Sequence, residues 1–283
     1  MNKDYNYIIV GAGSAGCAVA NRLSENPNNK VLLIEAGRSS HPVSRLPASF
    51  ALLIDNPKAN WRYRSEPEEN TFNRQIPIPR GKLLGGSSSI NGLVYVRGNK
   101  LDYNTWAQMG NTGWSYDDVL PFFKKIENYQ GEITDLRSSE GPLKVSEVVD
   151  RNPIYDGLFK GAGEIGIPVN KDYNGDEQEG ISYTQTTIFK GERMSAEVAY
   201  LKPIRSRKNL KIITNSLVTK LLFEGKTCVG VKVKNKNKIQ DYFSQNEVIL
   251  CGGAINSPQI LELSGIGNRS ILEEKGISLV HEL

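Results

Sequence analysis

One run of residues narrows the fold of this chain more than any other: Tyr7-Ile8-Ile9-Val10, then Gly11-Ala12-Gly13-Ser14-Ala15-Gly16, then Val31–Ile34 and Glu35. It reads as strand, glycine-rich turn, helix, strand, acid. Four apolar or aromatic residues running straight into the turn predict a strand buried on both faces. Gly11 suits a tight turn, Gly13 leaves the backbone free to approach a pyrophosphate, and Gly16 lets the next helix pack close to the strand. Ala15–Leu23 is apolar at helical spacing, and Asn26-Pro27-Asn28-Asn29 stops it. The free N–H groups and positive end of that helix then face phosphates. Glu35 follows Gly16 by 19 residues. A carboxylate there accepts both hydroxyls of an adenosine ribose and repels a 2′-phosphate, which points to NAD or FAD and not NADP.

Two later runs carry more. The first is Arg80-Gly81-Lys82-Leu83-Leu84-Gly85-Gly86-Ser87-Ser88-Ser89-Ile90-Asn91-Gly92-Leu93-Val94-Tyr95-Val96-Arg97-Gly98. Gly85-Gly86 is free to take positive φ. Ser87, Ser88 and Ser89 offer hydroxyl and amide donors, with a helix able to start there, and such a nest holds a pyrophosphate without a cation. Asn91 can both donate and accept hydrogen bonds. The second run begins with a short apolar strand, Glu247–Leu250, and a tight passage past a ligand or backbone, Cys251-Gly252-Gly253-Ala254. Ser257 is the expected N-cap of the next helix, with Pro258 at its first position, Gln259–Leu263 as its body, and Gly265 and Gly267 ending it.

The run from Arg80 and the run from Gly253 through Gly267 resemble the two signatures of the glucose–methanol–choline (GMC) oxidoreductases, most closely the choline-dehydrogenase-like branch. Asn60-Trp61-Arg62-Tyr63, Glu66-Pro67, Asp102-Tyr103, Gly113-Trp114-Ser115-Tyr116 and Val119–Lys125 resemble the family too, so the likeness covers nearly the whole chain. It implies an α/β fold: a Rossmann-like FAD-binding domain with part of an α+β substrate-binding domain. It also implies flavin contacts from Leu84 and from backbone atoms of Asn91 to Val94, and a backbone contact to adenine at Val218. The candidate cofactor set is Gly11, Gly13, Ser14, Ala15, Gly16, Glu35, Ala36, Leu84, Gly85, Gly86, Ser87, Asn91, Gly92, Leu93, Val94, Val218, Gly252 and Gly253. Some family members attach FAD through a histidine in the first signature. The matching position here is Ile90, so non-covalent FAD is expected.

The resemblance implies the oxidation of an alcohol CH–OH group, choline-like or another primary alcohol, with hydride passing to flavin N5. In the family the base is a histidine, paired with a histidine or asparagine, in a C-terminal segment beyond this length. Here the histidines are His41 and His281, neither in such a motif, and no catalytic residue is assigned. The expectation is therefore the FAD-binding N-terminal half of a longer enzyme, whether truncated gene, fragment or split protein. The alternative is a non-catalytic FAD-binding module without turnover. A plain NAD dehydrogenase leaves residues 80–98 unexplained.

Organisation follows the same reading. Residues 1–154 are expected to form the first part of the FAD-binding domain, with the proline-broken stretch 41–79 covering the flavin. Residues 155–206 are a partial substrate-side segment, and 207–283 return to the FAD-binding domain. Helices are expected around Tyr116–Asn128 and Tyr155–Gly166, a strand over Gly180–Lys190, a short helix over Ser195–Leu201, and a hairpin from Ile212–Leu222 and Cys228–Val233. Lys232, Lys234, Lys236 and Lys238 are read as its solvated face and turn. The net charge of +4 is too small and scattered to imply nucleic acid. No apolar run approaches the roughly 20 residues that span a bilayer. Ile8–Ala20 superficially resembles a signal core, but the same residues build the phosphate loop. Cys17, Cys228 and Cys251 have no pairing or metal spacing and are read as buried thiols in a reducing, cytoplasmic setting. Peripheral membrane association, oligomeric state and the electron acceptor are left open.

Overall fold

A computed structural model describes residues 4–283. In chain order its elements begin with strand β1 (Tyr5–Val10), helix α1 (Ser14–Leu23) and strand β2 (Val31–Ile34). Helices α2 (Lys100–Gln108) and α3 (Tyr116–Ile126), strands β3 (Glu127–Tyr129) and β4 (Leu143–Glu147), helix α4 (Ile154–Glu164) and strand β5 (Gln185–Thr186) come next. Strands β6 (Leu210–Ile213), β7 (Leu217–Glu224), β8 (Thr227–Asn235) and β9 (Lys238–Leu250) and helix α5 (Gly253–Leu263) follow, along with a short helix at Arg269–Glu274 and the two-residue strands Ile266–Gly267 and His281–Glu282.

The chain forms two compact units, one from residues up to Asn91 together with Ser195–Leu283, the other from Gly92–Met194. The sequence placed its boundaries at 154 and 206; the compact units change over at 91/92 and 194/195. The reason lies in pairing. Leu93, Val94 and Tyr95 bond to Thr187, Thr186 and Gln185, so the end of the first signature belongs with the central stretch.

The first unit is built on a six-stranded sheet of order β6-β2-β1-β9-β8-β7. Its β6, β2, β1 and the second half of β9 are parallel, with Val31 opposite both Tyr7 and Leu210, and Val10 opposite Leu250. The first half of β9 turns back antiparallel against β8, and β8 against β7. Ile8, Ile9, Val10 and all four residues of β2 are buried, as a parallel sheet covered on both faces demands. Ile8, Val10, Leu32 and Ile34 form one core with Val218, Leu221, Val231, Val233 and Ile260. The neighbours of β1 are β2, next in the chain, and β9, far along it. That reversal opens a crevice at its carboxyl end.

The expected hairpin forms as β7–β8, but its first strand starts at Leu217: Ile212 and Ile213 belong instead to the parallel strand β6, and Lys232 on the hairpin pairs with Asp241 at 2.8 Å. Stretch 41–79 holds only short pieces: 3-10 turns at Pro47–Ser49 and Glu69–Thr71, one helical turn at Phe50–Leu53, and the two-residue pair Tyr63–Arg64 with Pro77–Ile78. Ser195–Leu201 forms a single π-type turn over Glu197–Leu201.

The second unit has the three-stranded sheet β3-β4-β5 and helices α2, α3 and α4. Helix α3 starts in a reciprocal cap, the Ser115 hydroxyl accepting from Asp118 N–H and the Asp118 carboxylate accepting from Ser115 N–H. It ends two residues before the expected Asn128, because Glu127–Tyr129 joins the sheet. The expected strand over Gly180–Lys190 shrinks to Gln185–Thr186 and Ile188–Phe189. Gln185 and Thr186 bond across to β4, and Ile188–Phe189 instead pairs with Glu192–Arg193. The interior of this unit is strongly polar. Glu127 Oε1 accepts from Arg97 Nη2 at 2.7 Å, Arg137 Nε at 3.0 Å and Ser138 N–H at 2.9 Å. Arg137 also donates to Asp172 at 2.6 Å and to Gln185 Oε1 at 3.1 Å.

Candidate functional site

A cavity of about 550 Å³ opens at the carboxyl end of β1 in the first unit. Gly11, Gly13, Ser14, Ala15, Glu35, Ala36, Gly86, Ser87, Val218, Gly252 and Gly253 all line it. These residues come from five separate stretches of chain, and the fold brings them to one place.

The glycine turn has the geometry its sequence implies. Gly11 has φ +97°, a left-handed conformation that side chains resist, and a Cβ there would stand 2.4 Å from Cys251 O. A Cβ on Gly86 would come within 2.7 Å of Gly13 Cα, so the first signature closes directly on the fingerprint. Gly85 N–H donates to Ala12 O at 2.8 Å and fixes that approach. Gly16 lies beneath the cavity, where a Cβ would meet Gly11 O, and its absence lets α1 pack onto the turn.

Two helices point their amino ends at this cavity. Neither α1, capped by Gly13, nor α5, capped by Gly252, has a side chain bonded to its first N–H groups. Ser14 and Ala15 of α1 and Gly253, Ala254 and Ile255 of α5 line the wall. Uncapped donors at two positive helix ends suit a polyanion such as a pyrophosphate. The second helix corrects the sequence reading. It starts at Gly253, and Ser257 and Pro258 lie inside it, so Ser257 is not the N-cap. Gly253, at φ +86°, turns the chain into the helix earlier than a serine–proline start would. Pro258 has no N–H to give to Ala254 O.

Glu35 is buried, with one oxygen accepting from Ala12 N–H at 2.9 Å and the other from Gly37 N–H at 2.8 Å. Each oxygen keeps a second lone pair for a ligand hydroxyl. Burial pushes its carboxyl above the usual range; the Gly37 and Ala12 donors and Lys82 offset only part of that.

The structure redistributes other candidates. The Ser88 and Ser89 hydroxyls donate to Gly85 O at 2.5 Å and Leu84 O at 2.8 Å, leaving Ser87 as the serine that lines the cavity. Leu84, Gly85 and Asn91 belong to this unit but do not line the cavity; Gly92, Leu93 and Val94 belong to the second unit. Ile90 is buried against Leu53, Ala59 and Leu83 and offers no nucleophile. His41 Nε2 sits 3.2 Å from Asn56 Nδ2, and burial with Arg38 and Lys58 nearby lowers its pKa. His281 is exposed beside Ile266. Neither histidine lines the cavity. Cys17 is buried, whereas Cys228 and Cys251 are half-buried; all three are free thiols. The described residues contain no cluster of side chains able to hold a metal and no helix long and apolar enough to cross a membrane.

Sequence reasoning passed over Trp61, Arg80, Ser216 and Asn256, which also line the cavity. Trp61 stands in Asn60-Trp61-Arg62-Tyr63, a motif already singled out, so the signal was present without a role attached. The Trp61 and Tyr63 rings stack at 5.9 Å, and Lys82 Nζ lies 4.3 Å from the Trp61 ring centre.

Comparison with known proteins follows the same lines. The family model described as GMC oxidoreductase matches residues 5–278. An alcohol dehydrogenase [acceptor] of Pseudomonas putida is 44% identical, the match covering 99% of this chain and 51% of the relative. An oxygen-dependent choline dehydrogenase of Photobacterium profundum is 40% identical over 100% of this chain and 50% of its own length. The chain thus spans about half the length of these curated relatives. Among solved structures, an FAD-dependent oxidoreductase from Chaetomium thermophilum superposes with a TM-score of 0.92 at 31% identity, covering 99% of this chain and 51% of that one.

Proposed function

The chain belongs to the GMC oxidoreductase family, and from that premise we propose that it binds FAD non-covalently and serves as the cofactor-holding half of an enzyme oxidising the CH–OH group of an alcohol. The observation that carries the FAD reading is the convergence of two uncapped helix ends, the Gly13–Gly86 approach and the Glu35 carboxylate on one cavity. The residues fit the group: the helix ends supply donors for a pyrophosphate, the glycines give it room, and Glu35 takes the ribose hydroxyls. Val218 and Ala36 supply apolar wall for the adenine end, and Trp61 shields the cavity from water.

When bound, FAD accepts the hydrogen and electron pair taken from the CH–OH carbon. The chain's own part is to bind and orient. The amino ends of α1 and α5 place the phosphates, and Glu35 fixes the ribose. Leu84 and the backbone of Asn91, Gly92, Leu93 and Val94 are assigned to the flavin end on family grounds. An alcohol as small as choline is supported by the choline and alcohol dehydrogenases among the relatives. The second reading, an FAD-binding module without turnover, is favoured by the position of His41 and His281 away from the cavity.

The test is reconstitution with FAD followed by acid precipitation. Yellow colour released to the supernatant supports non-covalent binding. Colour that stays with the precipitate overturns it, and absence of any flavin binding overturns the assignment of the cavity.

A further inference from the structure

The wall that carries Trp61 is a flap with firm roots and a loose body. Its roots are buried: Ala59 and Asn60 on one side, Leu83 on the other. Asn60 is the fixing point. Its side-chain oxygen accepts from Arg62 N–H and Arg80 N–H, both at 2.9 Å, and its amide nitrogen donates to Ile54 O. Trp61 N–H donates to Arg80 O at 2.9 Å, and Lys82 N–H to Ala59 O at 2.7 Å. Between these roots no residue from 61 to 80 is buried. The hairpin is held by the short pairing of Tyr63–Arg64 with Pro77–Ile78 and by Ser65 N–H to Ile76 O at 3.0 Å. A segment with exposed backbone bonds and little buried surface opens locally at small free-energy cost.

One bond ties this flap to the far wall. Tyr63 Oη donates to Asn256 Oδ1 at 2.9 Å, across 193 positions of sequence. Asn256 lies in the first turns of α5 and itself lines the cavity. The ring of Tyr63 stacks on Trp61, nearly parallel at 6°. The hydroxyl therefore fixes Tyr63, and Tyr63 fixes the tryptophan that faces the cavity.

We propose that Tyr63, through its bond to Asn256, is a positioning residue that latches the Trp61 flap against helix α5 and so sets the rate at which a bound dinucleotide leaves. The proposal rests on the reading of the cavity as a dinucleotide site. The hydroxyl is partly buried, and burial raises its pKa, so it stays protonated and donating at neutral pH.

The experiment loads the full chain with FAD and follows release as the rise of flavin fluorescence after mixing with excess ADP. Tyr63→Phe removes one oxygen and keeps the stacking ring. Losing one hydrogen bond of ordinary strength predicts release faster by about three- to tenfold, with the thermal midpoint unchanged. Asn256→Ala speeds release as well, and adding Tyr63→Phe to it changes the rate no further, because the bond is already gone. Release from Tyr63→Phe within twofold of the native rate, or two single effects that multiply in the double variant, overturns the latch. Failure of the native chain to bind FAD or ADP instead overturns the cavity reading. Amide exchange of Trp61 and Ser65 in the ligand-free chain then still decides the flap: faster exchange in Tyr63→Phe supports the latch, and equal exchange overturns it.

Discussion

Glu35 shows how much one side chain carries at this site. Its carboxylate closes the glycine turn from below through Ala12 and Gly37, while its remaining lone pairs face the cavity. Burial holds its pKa above the ordinary carboxylate value in the ligand-free chain. The sign follows from linkage. The proton is bound more tightly in the folded state, so its contribution to stability is full below the unfolded pKa and is lost as pH rises through the folded one. Ribose hydroxyls, which donate, favour the ionised form. FAD affinity is therefore expected to weaken as pH falls through the raised pKa of Glu35, and Glu35→Gln should abolish that dependence. The variant should also bind FAD more weakly by about 1.5–3 kcal/mol, the worth of a hydrogen bond to a charged group. Quenching of flavin fluorescence across a pH series that starts at the ordinary carboxylate range and rises from it reads both effects; parallel pH profiles for the two proteins would remove Glu35 from the site. Gly11 and Gly16 were legible in the sequence because a Cβ at either would collide with backbone, and Glu35 because an acid at the end of the second strand is placed to accept from the turn. The Ser88 and Ser89 hydroxyls were not, because serine in a tight turn satisfies nearby carbonyls first, and sequence does not show which carbonyl is in reach.

At the scale of elements, periodicity located strands that are apolar throughout and lost those that change partner midway. The carboxyl half of β9, Glu247–Leu250, reads as a strand, while its first half, Lys238–Phe243, is polar because it forms a ribbon with β8. The sheet of the second unit was least legible, since its interior is an ion network and not an apolar stripe. Gln185 illustrates why. Its side-chain oxygen accepts from Arg137 and Asn174, and its nitrogen donates to Asp172 and Tyr129, so the amide is fully used. No hydropathy pattern announces such a residue. The network makes a sharp prediction. Arg137→Met leaves Glu127 and Asp172 buried or half-buried without a guanidinium that both now use. Breaking a buried pair from one side costs about 3–5 kcal/mol. Urea unfolding followed by tryptophan fluorescence reports on this unit through Trp106 and Trp114, and its midpoint should fall well below that of the native chain. An unchanged midpoint would mean the network is not what holds the unit together.

For the whole molecule, the question is what a chain matching half of its relatives' length can do alone. The residues proposed to hold the dinucleotide, among them Gly11, Gly13, Glu35 and Gly253, lie together in one cavity of the first unit. The groups that could take a proton from an alcohol do not. His41 is turned toward Asn56, with its pKa lowered, and His281 sits exposed on a two-residue strand. Glu35 is the acid in the cavity, and both its oxygens already hold backbone N–H groups. General-base assistance contributes typically about 10²–10⁴-fold to such a step. The chain is therefore expected to bind FAD and yet leave it oxidised when choline or a simple primary alcohol is added without oxygen. Many large apolar side chains are also exposed, among them Leu52, Phe72, Leu101, Met109 and Val149. Supplying the corresponding C-terminal half of a choline dehydrogenase relative as a separate chain should restore alcohol-dependent bleaching of the flavin. Rapid bleaching by the chain alone, lost in His41→Ala or His281→Ala, would show that a working base is already present and that this chain is a minimal enzyme in itself.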